Sequence, residues 1–273
     1  MAATILPTAP TGRVEIRARK AGFLADLRSI AGRAVRSIPR EPEAIVPALL
    51  IPLFFFVVNT GSLQDVAQNF GPGFDYKAFQ LPVAIVFAVT GISRASTLVT
   101  DIQNGYFDRL QMTPVSRLSL LLGLMVADFV NVLALSIPVL GLGLAVGVDV
   151  ESGVLGALLF LLLASLWGLA FTGFPYAIAL KTGNPAAVNS SFLLFFPFAF
   201  LTTSFVPQEA LTSWLGTTAT YNPVTYLLDG LRSLLSEGWD AAALGKAIAA
   251  IAGIGVVSIG LALAALRGRV DRG

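Results

Sequence analysis

The chain has 273 residues, 55% of them hydrophobic and only 12% charged, against about 25% charged in an ordinary soluble domain. A water-soluble fold must cover its outside with polar groups, so this deficit excludes one large soluble core and points to a single membrane domain. Cysteine and histidine are both absent, which excludes a disulfide framework, Cys/His zinc sites and triads with a histidine base; the net charge of +2 gives no reason to expect a nucleic-acid partner.

Basic residues crowd the N-terminus. Arg13, Arg17, Arg19, Lys20, Arg28, Arg33, Arg36 and Arg40 all precede the first long apolar run. No short apolar h-region follows Met1, so no secretory signal is read. Residues 1–12, rich in Pro, Thr and Ala, read as disordered. From 23 to 38 the pattern is an amphipathic helix. Phe23, Leu24, Leu27, Ile30, Ala31, Ala34 and Ile38 share one arc at about 100° per residue, with Asp26, Ser29, Arg33 and Arg36 opposite. Pro39 and Pro42 end it. A basic amphipathic helix beside a span is expected in the headgroup layer; the plainer alternative is a basic tail that only fixes orientation. Residues 1–43 are read as this cytoplasmic tail and interfacial helix.

A helix needs roughly 20 apolar residues to cross the hydrocarbon core. Six stretches qualify: 44–60, 79–99, 118–147, 153–180, 186–206 and 246–266. An even number puts both termini on one side. If that side is the cytoplasm, only Lys77, Arg232 and Lys246 of the 18 basic residues fall outside, as the positive-inside rule requires. Residues 267–273 form a short cytoplasmic tail. The expected location is the plasma membrane of a bacterium.

The loop at 100–117 is short and polar. Gly105 suits a bend, Tyr106 to Met112 could make two helical turns, Thr113-Pro114 stops them, and Ser116 can cap the next helix. The region 207–240 is uncharged over 210–228, but its threonines and Asn222-Pro223 interrupt it. Asn is a good N-cap and Pro a good first helical residue, so a new helix is expected over 223–236. The whole region reads as two short re-entrant helices in the outer leaflet, a placement tolerated only when buried in protein or lining a wet cavity. The fold class is therefore all-α integral membrane: six transmembrane helices, an N-terminal interfacial helix, and two re-entrant helices before the last span.

Within the spans, Asp128 is the costly group, about 3 kcal/mol on insertion scales. Either it lines the bundle interior beside a donor such as Asn131, or it lies near the inner interface. Arg94 is expected to snorkel to the cytoplasmic surface, with Asp101 or Asp128 as alternative partners. Gly143 and Gly147 form a weak small-x-x-x-small pattern. Asn189 opens the fifth stretch, and Phe192 and Phe196 start an aromatic face that either lines a substrate path or simply packs. Asp229, Arg232, Glu237 and Asp240 read as a solvated outer rim.

The loop resembles the intracellular coupling region of type-2 ABC exporter permeases, acidic-x-x-x-Gly-x-x-acidic-x-Leu-x-x-Thr-Pro-x-Ser-Arg. Asp101, Gly105, Asp108, Leu110, Thr113, Pro114, Ser116 and Arg117 fill its places. Asp replaces the usual Glu at 101 and 108, and Tyr106 stands where Thr or Ser is usual. Arg36, Pro39 and Pro52 resemble the entry to the first span. Asn222, Pro223, Tyr226 and Arg232 resemble the Asn-Pro-x-x-Tyr…Arg segment before the last. The resemblance runs over about 24–266 and is nearest the daunorubicin-resistance type. It implies a permease subunit that exports a drug-like molecule or lipid. An ABC ATPase would contact Asp101, Gly105, Arg117 and Pro114, with Asp108 and Arg109 as polar contacts and Phe107 and Leu110 as the apolar anchor. It further implies a second permease chain, identical or paralogous, and a lipid bilayer around both.

No phosphate loop is present: before Gly245-Lys246, Asp240 stands at the first glycine position, and Ala247 stands where a hydroxyl is needed. The chain is thus expected to be no enzyme and to bind no cofactor, with ATP and magnesium in the partner ATPase. The alternatives are an ATP-independent channel or secondary carrier and, within the family, a glycolipid or cell-wall polymer exporter.

Overall fold

The computed structural model describes residues 22–38, 42–71, 74–90, 92–106 and 117–270, and every regular element among them is helical. Helix α1 is Phe23–Ser37 and α2 is Pro42–Ala67, continued by a 3-10 turn to Phe70. Next come α3, Tyr76–Thr90, and α4, Ala95–Gln103. Two long helices come after these, α5 at Arg117–Ala145 and α6 at Gly153–Thr182. Three short ones are α7, Pro185–Ser190, α8, Phe195–Phe200, and α9, Ser213–Tyr221. The chain closes with α10, Pro223–Ser236, and α11, Ala241–Val270.

Five helical stretches among the described residues are long and apolar enough to cross a membrane: Ile45–Phe70, Tyr76–Gln103, Leu118–Ala145, Gly153–Thr182 and Ala241–Gly268. These match five of the six expected stretches. The fifth expected stretch, one continuous helix over 186–206, is corrected. Here α7, a 3-10 turn at Ser191–Leu194 and α8 succeed one another, and residues 201–206 are bends. The cause is local. Gly183 ends α6 in the left-handed region at φ 61°, where glycine carries no steric cost. Asn184 caps α7 by accepting from the Ala186 N–H at 2.9 Å, with Pro185 in the first turn. Hydropathy registers the apolar run but not these interruptions.

Helix α6 is the centre. Trp167, Phe171 and Tyr176 on it are fully buried. Lipid tails are as apolar as leucine, so close packing and interhelical hydrogen bonds must hold such a bundle. Both occur. Gly173 lies against the backbone of α11, where a Cβ would overlap Ser258, and the Ser258 hydroxyl donates to the Ala170 carbonyl. The Trp167 indole N–H donates to Thr90 on α3 at 3.0 Å. Gly123 on α5 leaves room for Ile30 of α1, whose Cγ2 would stand 2.7 Å from an added Cβ. The expected Gly143–Gly147 contact face is not formed: Gly143 accommodates Leu81, whereas Gly147 turns the chain at φ 90° with open space beside it.

Hydrogen bonds define two ends of the bundle. At one, Gln103 donates to the Gly183 carbonyl at 3.0 Å and Ser96 to Asn189 at 3.0 Å. At the other, Lys77 donates to the Val146 carbonyl at 3.1 Å and Ser152 to the Leu234 carbonyl at 2.6 Å.

Candidate functional site: an apolar cavity between two polar clusters

At the first end, α3 stops and α4 begins at Arg94. A helix start leaves backbone N–H groups without intrahelical acceptors. The Arg94 N–H donates to Asp128 Oδ1 at 2.9 Å, and the Tyr176 hydroxyl donates to Asp128 Oδ2 at 2.6 Å. Asp128 is fully buried, so it faces the inside of the bundle rather than its surface. Its donors are Arg94 and Tyr176 rather than Asn131, which is also buried. Arg94 does not snorkel. It is 5% exposed, and Nη1 donates to the Ala34 carbonyl at 3.1 Å and to Ser37 Oγ at 2.8 Å. A cation at the last turn of α1 complements that helix's dipole and its unpaired carbonyls. One buried cluster thereby joins α1, α4, α5 and α6.

The polar segment that starts at Asp101 begins beside it. Asp101 is 3.5 Å from Arg33 of α1, and the Arg33 guanidinium lies 5.0 Å from the Tyr106 ring centre. Gly105 takes φ 66°, which explains glycine at that bend. Phe107, Asp108, Arg109, Leu110 and Pro114 lie outside the described residues, as does the expected helix through Met112. Arg117 opens α5.

Between the two ends lies a cavity of about 470 Å³, walled by α2, α3 and the 192–205 segment. Phe55, Phe87, Phe192, Phe196, Phe200 and Phe205 all reach it. Phe192, Phe196 and Phe200 recur at one-turn spacing, with ring centres 5.3 and 5.6 Å apart. Phe87 meets Phe200 edge-on at 6.2 Å. Two of the sequence candidates, Phe192 and Phe196, are thus brought together. Asn189 lies outside this cavity, bonded to Ser96, and Asp128 and Asn131 lie in other parts of the bundle.

The far end is closed by polar bonds. Asn222 caps α10 by accepting from the Val224 N–H at 3.0 Å, and its amide donates to the Phe198 and Leu201 carbonyls, both at 2.7 Å. Pro223 stands next to it in the first turn of α10. Arg232 is not a solvated rim residue. Nε donates to the Phe79 carbonyl at 3.2 Å, Nη1 to Thr203 Oγ1 at 3.0 Å and Nη2 to the Thr203 carbonyl at 2.8 Å. Its guanidinium also lies 3.6 Å from the Phe79 ring centre. Burial pushes Arg232 down to about 10, with Asp229 opposing, which leaves it charged at neutral pH. Burial likewise raises the Asp229 carboxyl against the pull of Arg232 and Lys246. Beyond this seal is a chamber of about 980 Å³ whose lining includes Asp75, Asp149, Glu151, Glu237, Asp240 and Lys246.

Sequence reasoning missed Tyr176, Thr203 and Gln80. A tyrosine inside a charge-free span was the one available signal, since a buried phenol needs a partner.

The pattern of the ABC-2 type transporter family matches residues 25–236. The chain belongs to the ABC-2 type transporter family. This ABC-2 chain is similar to "Daunorubicin resistance ABC transporter permease protein DrrB1" of Streptomyces coeruleorubidus, 25% identical over 218 residues, 76% of this chain and 75% of the relative. It is also similar to "Probable doxorubicin resistance ABC transporter permease protein DrrC" of Mycobacterium tuberculosis, 24% identical over 217 residues and 79% of each chain. As an ABC-2 permease it is a multi-pass membrane protein and the membrane subunit of an ABC transporter, a family whose members associate with an ABC ATPase.

Proposed function

We propose that this permease moves apolar or amphiphilic molecules, drug-like compounds or lipids, out of the cytoplasm or inner leaflet, driven by a separate ABC ATPase that binds ATP and magnesium. The observation that carries this reading is the apolar cavity between α2, α3 and the 192–205 segment. A pocket of several hundred Å³ with aromatic walls suits a drug-sized apolar body. The drug-resistance names of the relatives point the same way.

In this reading the chain crosses the membrane six times, both termini are cytoplasmic, and α7 to α8 with the bends to 206 make the fifth crossing. In support, that segment is bonded to the 96 end of the second span at Asn189 and to its 76 end at Phe205. Helix α1 lies at the inner interface, and α9 and α10 sit in the outer leaflet. Two permease chains face each other across the pathway. The ATPase presses on residues 101–117, with Asp108, Arg109, Phe107 and Leu110 as its contacts. The bonds from Asp101 to Arg33 and from Gln103 to the Gly183 carbonyl would carry the push to α1 and α6. Such a push shifts the two states only by its differential affinity for them.

The test is transport in vesicles that hold the permease and its ATPase, loaded with 1-pyrenemethylammonium. ATP should drive the dye across, and Phe87→Ala and Phe196→Ala should each slow it by up to about tenfold, the worth of a lost aromatic contact, at unchanged protein yield. Transport that ignores ATP would support an ATP-independent carrier instead. Transport that ignores both substitutions would remove the cavity from the pathway.

A further inference from the structure

Gln80 is 2% exposed and is one of two polar side chains, with Asn59, in the lining of the apolar cavity. Its amide is oriented by a chain of bonds. The Tyr76 hydroxyl has one proton, and it goes to the Phe205 carbonyl at 3.1 Å; a carbonyl accepts and never donates. Tyr76 must therefore accept from Gln80, whose Nε2 donates to it at 3.1 Å. That fixes Oε1 as the other end of the amide, and Oε1 has no hydrogen-bond partner among the described residues. A buried acceptor without a partner is costly and uncommon.

The position of Gln80 adds direction. Phe79 lines the outer chamber and Gln80 the inner cavity, and Thr203 and Phe205 divide in the same way. Gln80 thus stands at the wall between an aromatic room and a chamber in which carboxylates outnumber the two cations, Arg232 and Lys246. An excess of carboxylates lowers the free energy of a positive charge arriving from the cavity.

We propose that the cavity selects amphiphilic amines in their protonated form, with Gln80 Oε1 accepting a hydrogen bond from the ammonium while the phenylalanines hold the apolar body. This rests on the cavity being the substrate path. Gln80 is then the specificity-determining residue of that path.

Two probes share the aromatic body and the charge but differ in donors: 1-pyrenemethylammonium carries N–H groups and its N-trimethylated form carries none. Binding is measured by fluorescence to the full chain in phosphatidylcholine nanodiscs, with empty discs subtracted. The ammonium should bind about tenfold tighter than the trimethylated probe, as one charge-assisted bond allows. Gln80→Leu should remove that preference, by weakening the ammonium about tenfold more than it weakens the trimethylated probe. Tyr76→Phe releases the amide from that bond but keeps Oε1, so it should reduce the preference less than Gln80→Leu does; an equal loss in both variants would overturn the role of Oε1. Equal affinities in the unaltered protein, or a preference that survives Gln80→Leu, overturns the role of Gln80. If both probes bind equally and Phe196→Ala weakens both, the cavity stands and only the amine selection falls. If neither probe binds, or Phe196→Ala changes neither affinity, the substrate-path reading and this inference fall together.

Discussion

Asp128 is tolerated inside the bundle because both of its oxygens have donors, the Arg94 N–H and the Tyr176 hydroxyl. Tyr176→Phe removes one donor and leaves everything else in place. The protein should lose about 1–3 kcal/mol of stability, read as a lower melting temperature in detergent. Asp128→Ala should cost at least as much, because it leaves two donors facing an apolar interior. Asn222 presents a different case. Its side chain both caps α10 and holds the Phe198 and Leu201 carbonyls, so Asn222→Ala should cost more than the ~1 kcal/mol of a cap alone. Thermal unfolding followed by circular dichroism measures both. The legible residues were those with local reasons: Asn222 before Pro223, and Gly105 at a bend. Tyr176 and Arg232 were not legible in role, because their partners lie 48 residues away for Tyr176 and 29 residues away for Arg232 at Thr203.

At the scale of the elements, α6 meets α11 backbone to backbone, an approach made possible by Gly173. Gly173→Ala must push α11 off the Ser258 backbone, a strain of about 1–3 kcal/mol. Gly253, also on α11, has open space around the position of a Cβ, and Gly253→Ala should be neutral or stabilising by up to ~1 kcal/mol through helix propensity. A pair of melting curves decides whether packing, rather than glycine content, holds these helices. The sequence made five spans plain because an uninterrupted apolar helix announces itself by length. The fifth stretch was equally apolar, yet the 3-10 turn at Ser191–Leu194 and the bends from 201 onward break it up. Composition over a window cannot show where one helix ends and another begins. The phenylalanine ladder at 192, 196 and 200 was legible as a face. The surface it faces, Phe55 and Phe87 across the cavity, was not, because that depends on how α2 and α3 pack.

For the whole molecule, three levels join in one chain. The start of the 101–117 segment is tied to α1 through Arg33 and Asp101. A buried cluster around Asp128 joins α1 to α4, α5 and α6. An aromatic cavity is sealed on its far side by Arg232 on Thr203 and Phe79. The seal makes a further prediction: Arg232→Ala should open the cavity to the outer chamber, raising leak of 1-pyrenemethylammonium from vesicles without ATP, whereas an intact barrier would show the closure to lie elsewhere. The claim beneath all of this is that a separate ATPase drives the chain through residues 101–117. The most direct measurement is co-purification in detergent of the tagged permease with an ABC ATPase subunit from the same genome, comparing the unaltered chain with Asp108→Lys/Leu110→Ala. The ATPase should be retained by the former and lost from the latter at equal permease yield. An ATPase retained equally by both would contradict the contact, and one retained by neither would contradict the ATP-driven exporter itself.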